Sequence, residues 1–289
     1  MKVLLFLLLS AFCFSSCKTF NKVKKSLGFS KNHQSSSFSK IMKSTDYDYK
    51  LKMAEKYYLK KDYNHAQQLY DDLFRVMKGT DHFEDIYYKL AYCAFYLKDY
   101  LNAENLFKGF VDAFPNSAKS EEIDYMRAFT FYKQSPKVEL DQTNTTKTMG
   151  FMQAFISTHP GSERIKDATE IIDKCRAKLE AKDFESAELY YNLTFFRAAA
   201  IGFTGLMNSY PDSQRSDEYK MYIIKSYYFF ASKSIEDKKE ERFQQVVTEC
   251  NDFIDRFPDS KLSKEVQGYL NLSLNYIKSL KNEQVKKTS

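Results

Sequence analysis

The sequence predicts an all-α protein: helical hairpins stacked in chain order into an α-solenoid, about five repeats long with a closing helix. Three observations carry this. Gly and Pro together supply 13 of 289 residues, about a third of the usual share near 12%, so the chain has few places to turn and long helices follow. Four of the five prolines fall in one recurring tetrapeptide, at separations of 45, 51 and 47 residues. Small residues are followed by rings four places on, the spacing of neighbours on one helix face.

The N-terminus reads as an address. In MKVLLFLLLSAFCFSSC, Lys2 precedes an apolar run from Val3 to Leu9, extended by Ala11 and Phe12, and Ser15 and Ser16 lead to Cys17. This is the layout of a secretory signal peptide, residues 1–16, and the run falls short of the roughly 20 residues that span a bilayer. Phe14-Ser15-Ser16-Cys17 resembles the lipobox of bacterial lipoproteins, although Phe14 stands where Leu is commonest. The resemblance implies that Cys17 becomes the first mature residue and carries the acyl groups, palmitate included, that anchor the chain to a membrane. Cys13 competes for that role, but Phe12 before it is too bulky for the cleavage pocket. The alternative is an ordinary secreted chain cut elsewhere.

Residues 18–45 carry seven Lys and no acid before Asp46, with no helical period. They are expected to form a flexible basic tether between Cys17 and the array. No acidic run follows Cys17, which favours the periplasmic face. Cys93, Cys175 and Cys250 lie far apart in apolar helical context and read as packing residues, not as a disulfide framework or a metal site.

The array is expected over 46–281. Phe114-Pro115-Asn116-Ser117, His159-Pro160-Gly161-Ser162, Tyr210-Pro211-Asp212-Ser213 and Phe257-Pro258-Asp259-Ser260 each follow an apolar helical run and precede a charged one. Proline ends the helix before it, and the serine two places later is suited to cap the next. A second pattern interlocks with the first. Lys61-Asp62-Tyr63, Lys98-Asp99-Tyr100 and Lys182-Asp183-Phe184 each precede an alanine three residues beyond the ring (Ala66, Ala103, Ala187) and an aromatic four later (Tyr70, Phe107, Tyr191). Ala103, Phe107, Pro115 and Ala199, Phe203, Pro211 share the spacing A-x3-F-x7-P, which resembles the second helix of a tetratricopeptide repeat (TPR). The hairpins fall at about 46–78, 83–114, 119–158, 162–209 and 213–256, with an inserted loop at 135–146, a closing helix at 261–281 and a disordered polar tail at 282–289. One hairpin cannot bury its apolar face alone, so neighbours stack into a superhelix with a concave groove.

Catalytic constellations are missing. There is no G-x-G-x-x-G, P-loop or G-x-S-x-G, and His33, His65, His82 and His159 form no H-E-x-x-H. Adjacent acids such as Asp71-Asp72 and Glu121-Glu122 point about 100° apart on a helix. The chain is therefore not expected to be an enzyme or to hold a cofactor. Its net charge of +6 is spread among interspersed acids beyond residue 45, which excludes a nucleic-acid binder with a clustered basic element. What remains is binding through side chains. Tyr88, Tyr92 and Tyr96, at i, i+4 and i+8, with Phe95 beside them, are the candidates for a peptide groove.

The segment from Asp173 to Ser213 holds a basic helix, Ala187-Glu188-Leu189-Tyr190-Tyr191, Arg197-Ala198-Ala199 and Tyr210-Pro211-Asp212-Ser213 in that order. It resembles the fourth repeat of the BamD family, TPR lipoproteins of the outer-membrane β-barrel assembly machinery (the BAM complex), and the likeness extends over nearly all of the mature chain. It implies a scaffold that docks through its C-terminal repeats on the POTRA domains of the barrel insertase BamA, and meets unfolded outer-membrane proteins through its N-terminal ones. Residues 162–256, with Tyr190, Tyr191, Arg197 and Tyr210, would face the insertase, and 46–114 the substrate. The tether is longer than in that family, and the Asn192–Phe196 turn lacks the basic and glycine residues common there. The alternative is another periplasmic TPR lipoprotein that organises envelope or peptidoglycan partners. A glycan-binding lipoprotein of the SusD type ranks lower, because it needs a longer chain and exposed Trp, and Trp is absent here.

Overall fold

A computed structural model describes residues 32–288. The signal peptide, Cys17 and the start of the tether lie outside the described residues. Those residues form twelve helices, α1 (Asn32–Met42), α2 (Tyr47–Leu59), α3 (Tyr63–Val76), α4 (Phe83–Tyr96), α5 (Tyr100–Ala113), α6 (Ser120–Gln134), α7 (Thr143–Thr158), α8 (Ile165–Asn192), α9 (Phe196–Ser209), α10 (Ser216–Ser232), α11 (Glu236–Arg256) and α12 (Ser263–Thr288). No strand occurs among them. The chain divides after Pro115 into two compact units. Within each, every helix packs on the next in chain order, so the fold is an all-α array of TPR-like hairpins.

The proline motifs are structurally equivalent. Each second helix ends two residues before its proline. The residue between them (Phe114, His159, Tyr210 or Phe257) takes φ of −125 to −132° and ψ of 56 to 63°, the departure from helical geometry that the following ring imposes. The serine works one turn earlier than an N-cap. Its hydroxyl accepts from the N–H two residues on, at Lys119, Arg164, Arg215 and Leu262, over 3.0–3.1 Å. Its carbonyl accepts from the first helical N–H. Three of these hydroxyls also donate to an acid on the preceding hairpin: Ser162 to Glu121, Ser213 to Glu180 and Ser260 to Asp217. The motif therefore stops one helix and starts another, and in these three copies it ties the two hairpins together.

The turns inside hairpins follow a second rule. Lys61, Lys98 and Thr194 hold φ near +60° (59, 63 and 63°). The next N–H (Asp62, Asp99, Phe195) donates back to the carbonyl of Tyr57, Ala94 or Tyr190, a Schellman closure. Asp62 and Asp99 then cap the following helix through their carboxylates. The third Lys-Asp-aromatic triad departs from the pattern. Lys182-Asp183-Phe184 lies inside the 28-residue α8, because no Gly or Pro interrupts the buried row of Ile171, Cys175, Phe184 and Ala187.

The core has one register. Counting back from each proline, the residues at twelve, eight and five places are all at most 2% exposed: Ala103, Phe107, Phe110; Thr148, Met152, Phe155; Ala199, Phe203, Leu206; Val246, Cys250, Phe253. Two repeats use other residues in the Ala and Phe positions, so the A-x3-F pattern is visible in only half of them. Close approach explains the small residues: a Cβ on Gly202 of α9 would stand 3.0 Å from the Ala187 Cβ of α8. Cys93, Cys175 and Cys250 are buried packing residues, as expected.

Three segments differ from expectation. Residues 32–42, placed in the tether, form α1. Its Ile41 is buried, and its Phe38 ring sits 4.2 Å from His65 and 5.7 Å from Tyr57; two apolar residues three apart suffice to dock a single turn. The inserted loop is short and pinned, because buried Gln142 donates through Nε2 to the carbonyls of Lys137, Val138 and Leu140. The closing helix runs on to Thr288, through the segment expected to be a tail.

Candidate functional site

In the first unit, α4 presents the tyrosine row that its spacing predicts. Tyr88, Tyr92 and Tyr96 follow one another at 4.7 and 5.8 Å between ring centroids. Tyr96 stacks on Tyr63 of α3 at 4.5 Å, and Tyr63 meets Tyr58 edge-on at 5.7 Å. The structure sorts the four predicted residues. Tyr92 is only 5% exposed, edge-on to Phe107 at 5.5 Å, so it packs α4 on α5 and offers little to a partner. Phe95 turns off the row toward Tyr100 and Phe107. Tyr96 is 45% exposed, and Tyr88 is half-buried, edge-on to Phe110 at 6.3 Å. Tyr63 joins them, a residue that sequence reasoning placed only in a turn triad. Burial, with Tyr96 nearby, raises the Tyr63 phenol above its ordinary value, which keeps it a neutral hydrogen-bond donor.

In the second unit, the four candidates separate. Tyr210 is buried at the end of α9, where its hydroxyl donates to Asp183 Oδ2 at 3.0 Å. It holds α9 to α8. Tyr191 is half-buried against Phe196 and Tyr222, at 5.6 and 5.4 Å. Tyr190 and Arg197 are exposed at the α8–α9 turn. They are joined there by Leu189, Leu193 and Phe195, all more than half exposed. A hydrophobic group in a tight turn is itself a signal, legible in the Asn192–Phe196 stretch and missed. Beneath it, Phe196 stacks on Phe229 at 5.2 Å, which fixes the turn against α10.

Arg197 also borders a cleft of about 380 Å³ with Tyr227, Phe230, Glu241, Arg242 and Gln245. The Arg242 guanidinium lies 4.1 Å over the Phe230 ring and donates to Ser234. A guanidinium beside exposed Leu, Phe and Tyr is the composition of a protein-binding surface. No group of three or more His, Cys, Asp or Glu that could hold a metal occurs among the described residues. No helix among them is long and apolar enough to cross a membrane.

The sequence profile of the YfiO family, described as outer membrane lipoprotein, matches residues 47–241, about two-thirds of the chain. The chain belongs to this family. The resemblance to BamD agrees with it: the outer membrane protein assembly factor BamD of Aquifex aeolicus (strain VF5) is 20% identical over 213 residues, spanning 73% of this chain and 69% of that protein. The YfiO match opens at the first residue of α2 and closes within α11, so the tyrosine row of α4 and the α8–α9 turn lie inside it. Among solved structures, this YfiO member is similar to the TPR2AB domain of yeast Sti1 in its pHSP90 complex (TM-score 0.39, 13% identity, 81% of this chain and 86% of that one). It is also similar to the yeast histone chaperone Hif1 (TM-score 0.27, 11% identity, 68% and 94%). At these TM-scores neither likeness bears on fold or function.

Proposed function

We propose that this protein is a lipid-anchored scaffold of the outer membrane that assists assembly of β-barrel proteins, binding a barrel insertase and unfolded barrel chains without catalysing a reaction. Membership of an outer membrane lipoprotein family over 47–241 carries the reading, and the assembly role named for the Aquifex relative supports it. Cys17 is the acylation site, and the array faces the periplasm.

The α8–α9 turn, with Tyr190, Arg197, Leu193 and Phe195, is the surface for the insertase POTRA domains. Tyr88, Tyr96 and Tyr63 are the surface for extended apolar clients. Rings with a phenol edge suit that task, because they give broad contact without strict sequence demand. Confinement to the membrane raises effective concentration, so weak contacts at each surface suffice. The test is co-purification after mild detergent extraction. A large β-barrel protein is expected to accompany the wild-type chain and to be lost from a Leu193→Asp/Phe195→Asp variant. Recovery of the wild-type chain without any barrel protein refutes the reading.

A further inference from the structure

The charge of the chain is concentrated at one end. With the signal peptide removed, residues 17–61 hold 12 of the 44 basic residues and three of the 38 acidic ones, so they carry +9 and the remaining 228 residues carry −4. Much of this charge lies on folded surface. Lys52, Lys56 and Lys60 stand at i, i+4 and i+8 and form one stripe along α2, opposite its buried Lys50 and Ala54. Lys40, Lys43 and Lys61 are exposed on α1 and in the two turns. None of these six has an ion-pair partner among the described residues.

The acids nearby do not answer them. Glu55 accepts from Lys89 and from the Tyr70 hydroxyl, Asp62 holds His65, and Asp46 caps α2. Asp48 alone is an exposed acid without such a duty. The one paired lysine of α2, Lys50, is the one turned inward, to Asp72. Like charges stacked along one face repel each other; the helix dipoles favour Lys40 in the last turn of α1 and Lys56 and Lys60 at the end of α2, but not Lys52. No ion pair among the described residues answers the stripe. Tyr47, Tyr49 and Leu59 are exposed among the lysines, the mix of rings, aliphatics and cations that settles at a lipid headgroup boundary.

We infer that the outer face of α1 and α2 is a membrane-contact surface that binds anionic phospholipid headgroups. The setting rests on the membrane-anchored reading above. Fourteen residues lie between Cys17 and α1 and reach at most about 50 Å, so the face and the acyl chains can engage one bilayer together. The net-negative remainder of the chain is repelled from that bilayer. The basic face thus turns α2 toward the lipid. An acyl anchor at one residue fixes position without fixing orientation; a charged face supplies the second constraint.

The test uses the chain from residue 17 onward carrying Cys17→Ser, so that binding reads the face and not the anchor. Co-sedimentation is measured with vesicles of phosphatidylcholine alone and with about one-third phosphatidylglycerol. Binding is expected only to the anionic vesicles, and half-molar salt is expected to abolish it. At about fivefold per lysine, the Lys52→Gln/Lys56→Gln/Lys60→Gln/Lys61→Gln variant is expected to bind on the order of several hundredfold more weakly. A variant with Gln at Lys166, Lys261, Lys264 and Lys278 has the same net charge and is expected to bind as the parent does. Equal binding to both vesicle types overturns the inference, and so do equal losses in the two variants. Palmitate labelling of the wild-type chain reads Cys17 separately, so failure of the anchor and failure of the face are told apart.

Discussion

Gly109 of α5 offers a substitution whose effect should change sign with one atom elsewhere. A Cβ at Gly109 would stand 2.0 Å from the Tyr87 hydroxyl oxygen and 3.3 Å from its Cζ. The ring of Tyr87 cannot simply swing away, because it packs on Phe74 at 4.8 Å, Phe110 at 5.9 Å, Phe83 at 6.0 Å and Phe114 at 6.3 Å. Two effects compete. Alanine in place of a mid-helix glycine stabilises by about 0.8–1.0 kcal/mol. Forcing a packed side chain off its rotamer costs about 1–3 kcal/mol. In the wild-type background, Gly109→Ala should therefore destabilise by about 1 kcal/mol. Tyr87→Phe removes the oxygen and leaves a 3.3 Å contact that a small shift relieves. In that background the same Gly109→Ala should stabilise by about 0.5–1 kcal/mol. Urea denaturation of the four proteins, followed by circular dichroism, measures the cycle and should give a coupling of roughly 2 kcal/mol. A Gly109→Ala that is equally stabilising in both backgrounds would mean that α4 and α5 do not approach as closely as described.

Three further outcomes are expected. Lys220 is buried on α10 between Glu249 and Asp252 of α11. Lys220→Met should cost about 2–3 kcal/mol by denaturant titration, below the usual ~3–5 for a broken buried pair, because Asp252 is open to water and keeps Arg256 at 3.5 Å, and the more buried Glu249 still accepts from the Gln245 amide at 2.6 Å. Burial raises the Asp252 carboxyl, but the hydrogen bond and charge of Lys220, helped by Arg256, outweigh it and hold the group below its ordinary value. Its contribution is thus present above about pH 4 and lost as pH falls through the lowered value, so the deficit of the Lys220→Met variant should shrink in acid; a deficit unchanged down to the acid limit would refute this. Burial, with an acid beside each, pushes the Cys93 and Cys250 thiols up to about 12, so Ellman's reagent at mildly alkaline pH should find no reactive thiol in the folded chain from residue 17 onward carrying Cys17→Ser, and three after unfolding; rapid reaction in the folded state would contradict their burial. Ser226 is fully buried with no hydrogen-bond partner for its hydroxyl, so Ser226→Ala should be neutral or stabilise by up to about 1 kcal/mol, and a clear loss in thermal melting would reveal a partner.

The fold was legible because its punctuation is local. A proline ends a helix wherever it stands, and four copies of one tetrapeptide marked four boundaries that the structure places between consecutive helices. The Ala and aromatic positions were legible where repeats kept those residues, at Ala66, Ala103 and Ala199. They were hidden where Thr148 and Met152, or Val246 and Cys250, fill the same places. A register is a property of the stack, and several side chains of similar volume satisfy it. Lys182-Asp183-Phe184 shows the converse: a turn-like triad continues as helix when nothing in it forbids helical geometry and its neighbours face a core.

Composition and periodicity by themselves determined that the chain is helical and where its hairpins begin and end. They also determined where the lysines stand, since a stripe at i, i+4 and i+8 needs only the helical period. What tertiary structure alone decided is which rings are free. Tyr92 and Tyr96 sit one helical turn apart on α4 with the same side chain, yet one lies against Phe107 and the other faces solvent on Tyr63. The period of a helix says which residues share a face; only the neighbouring helix says how much of that face it covers.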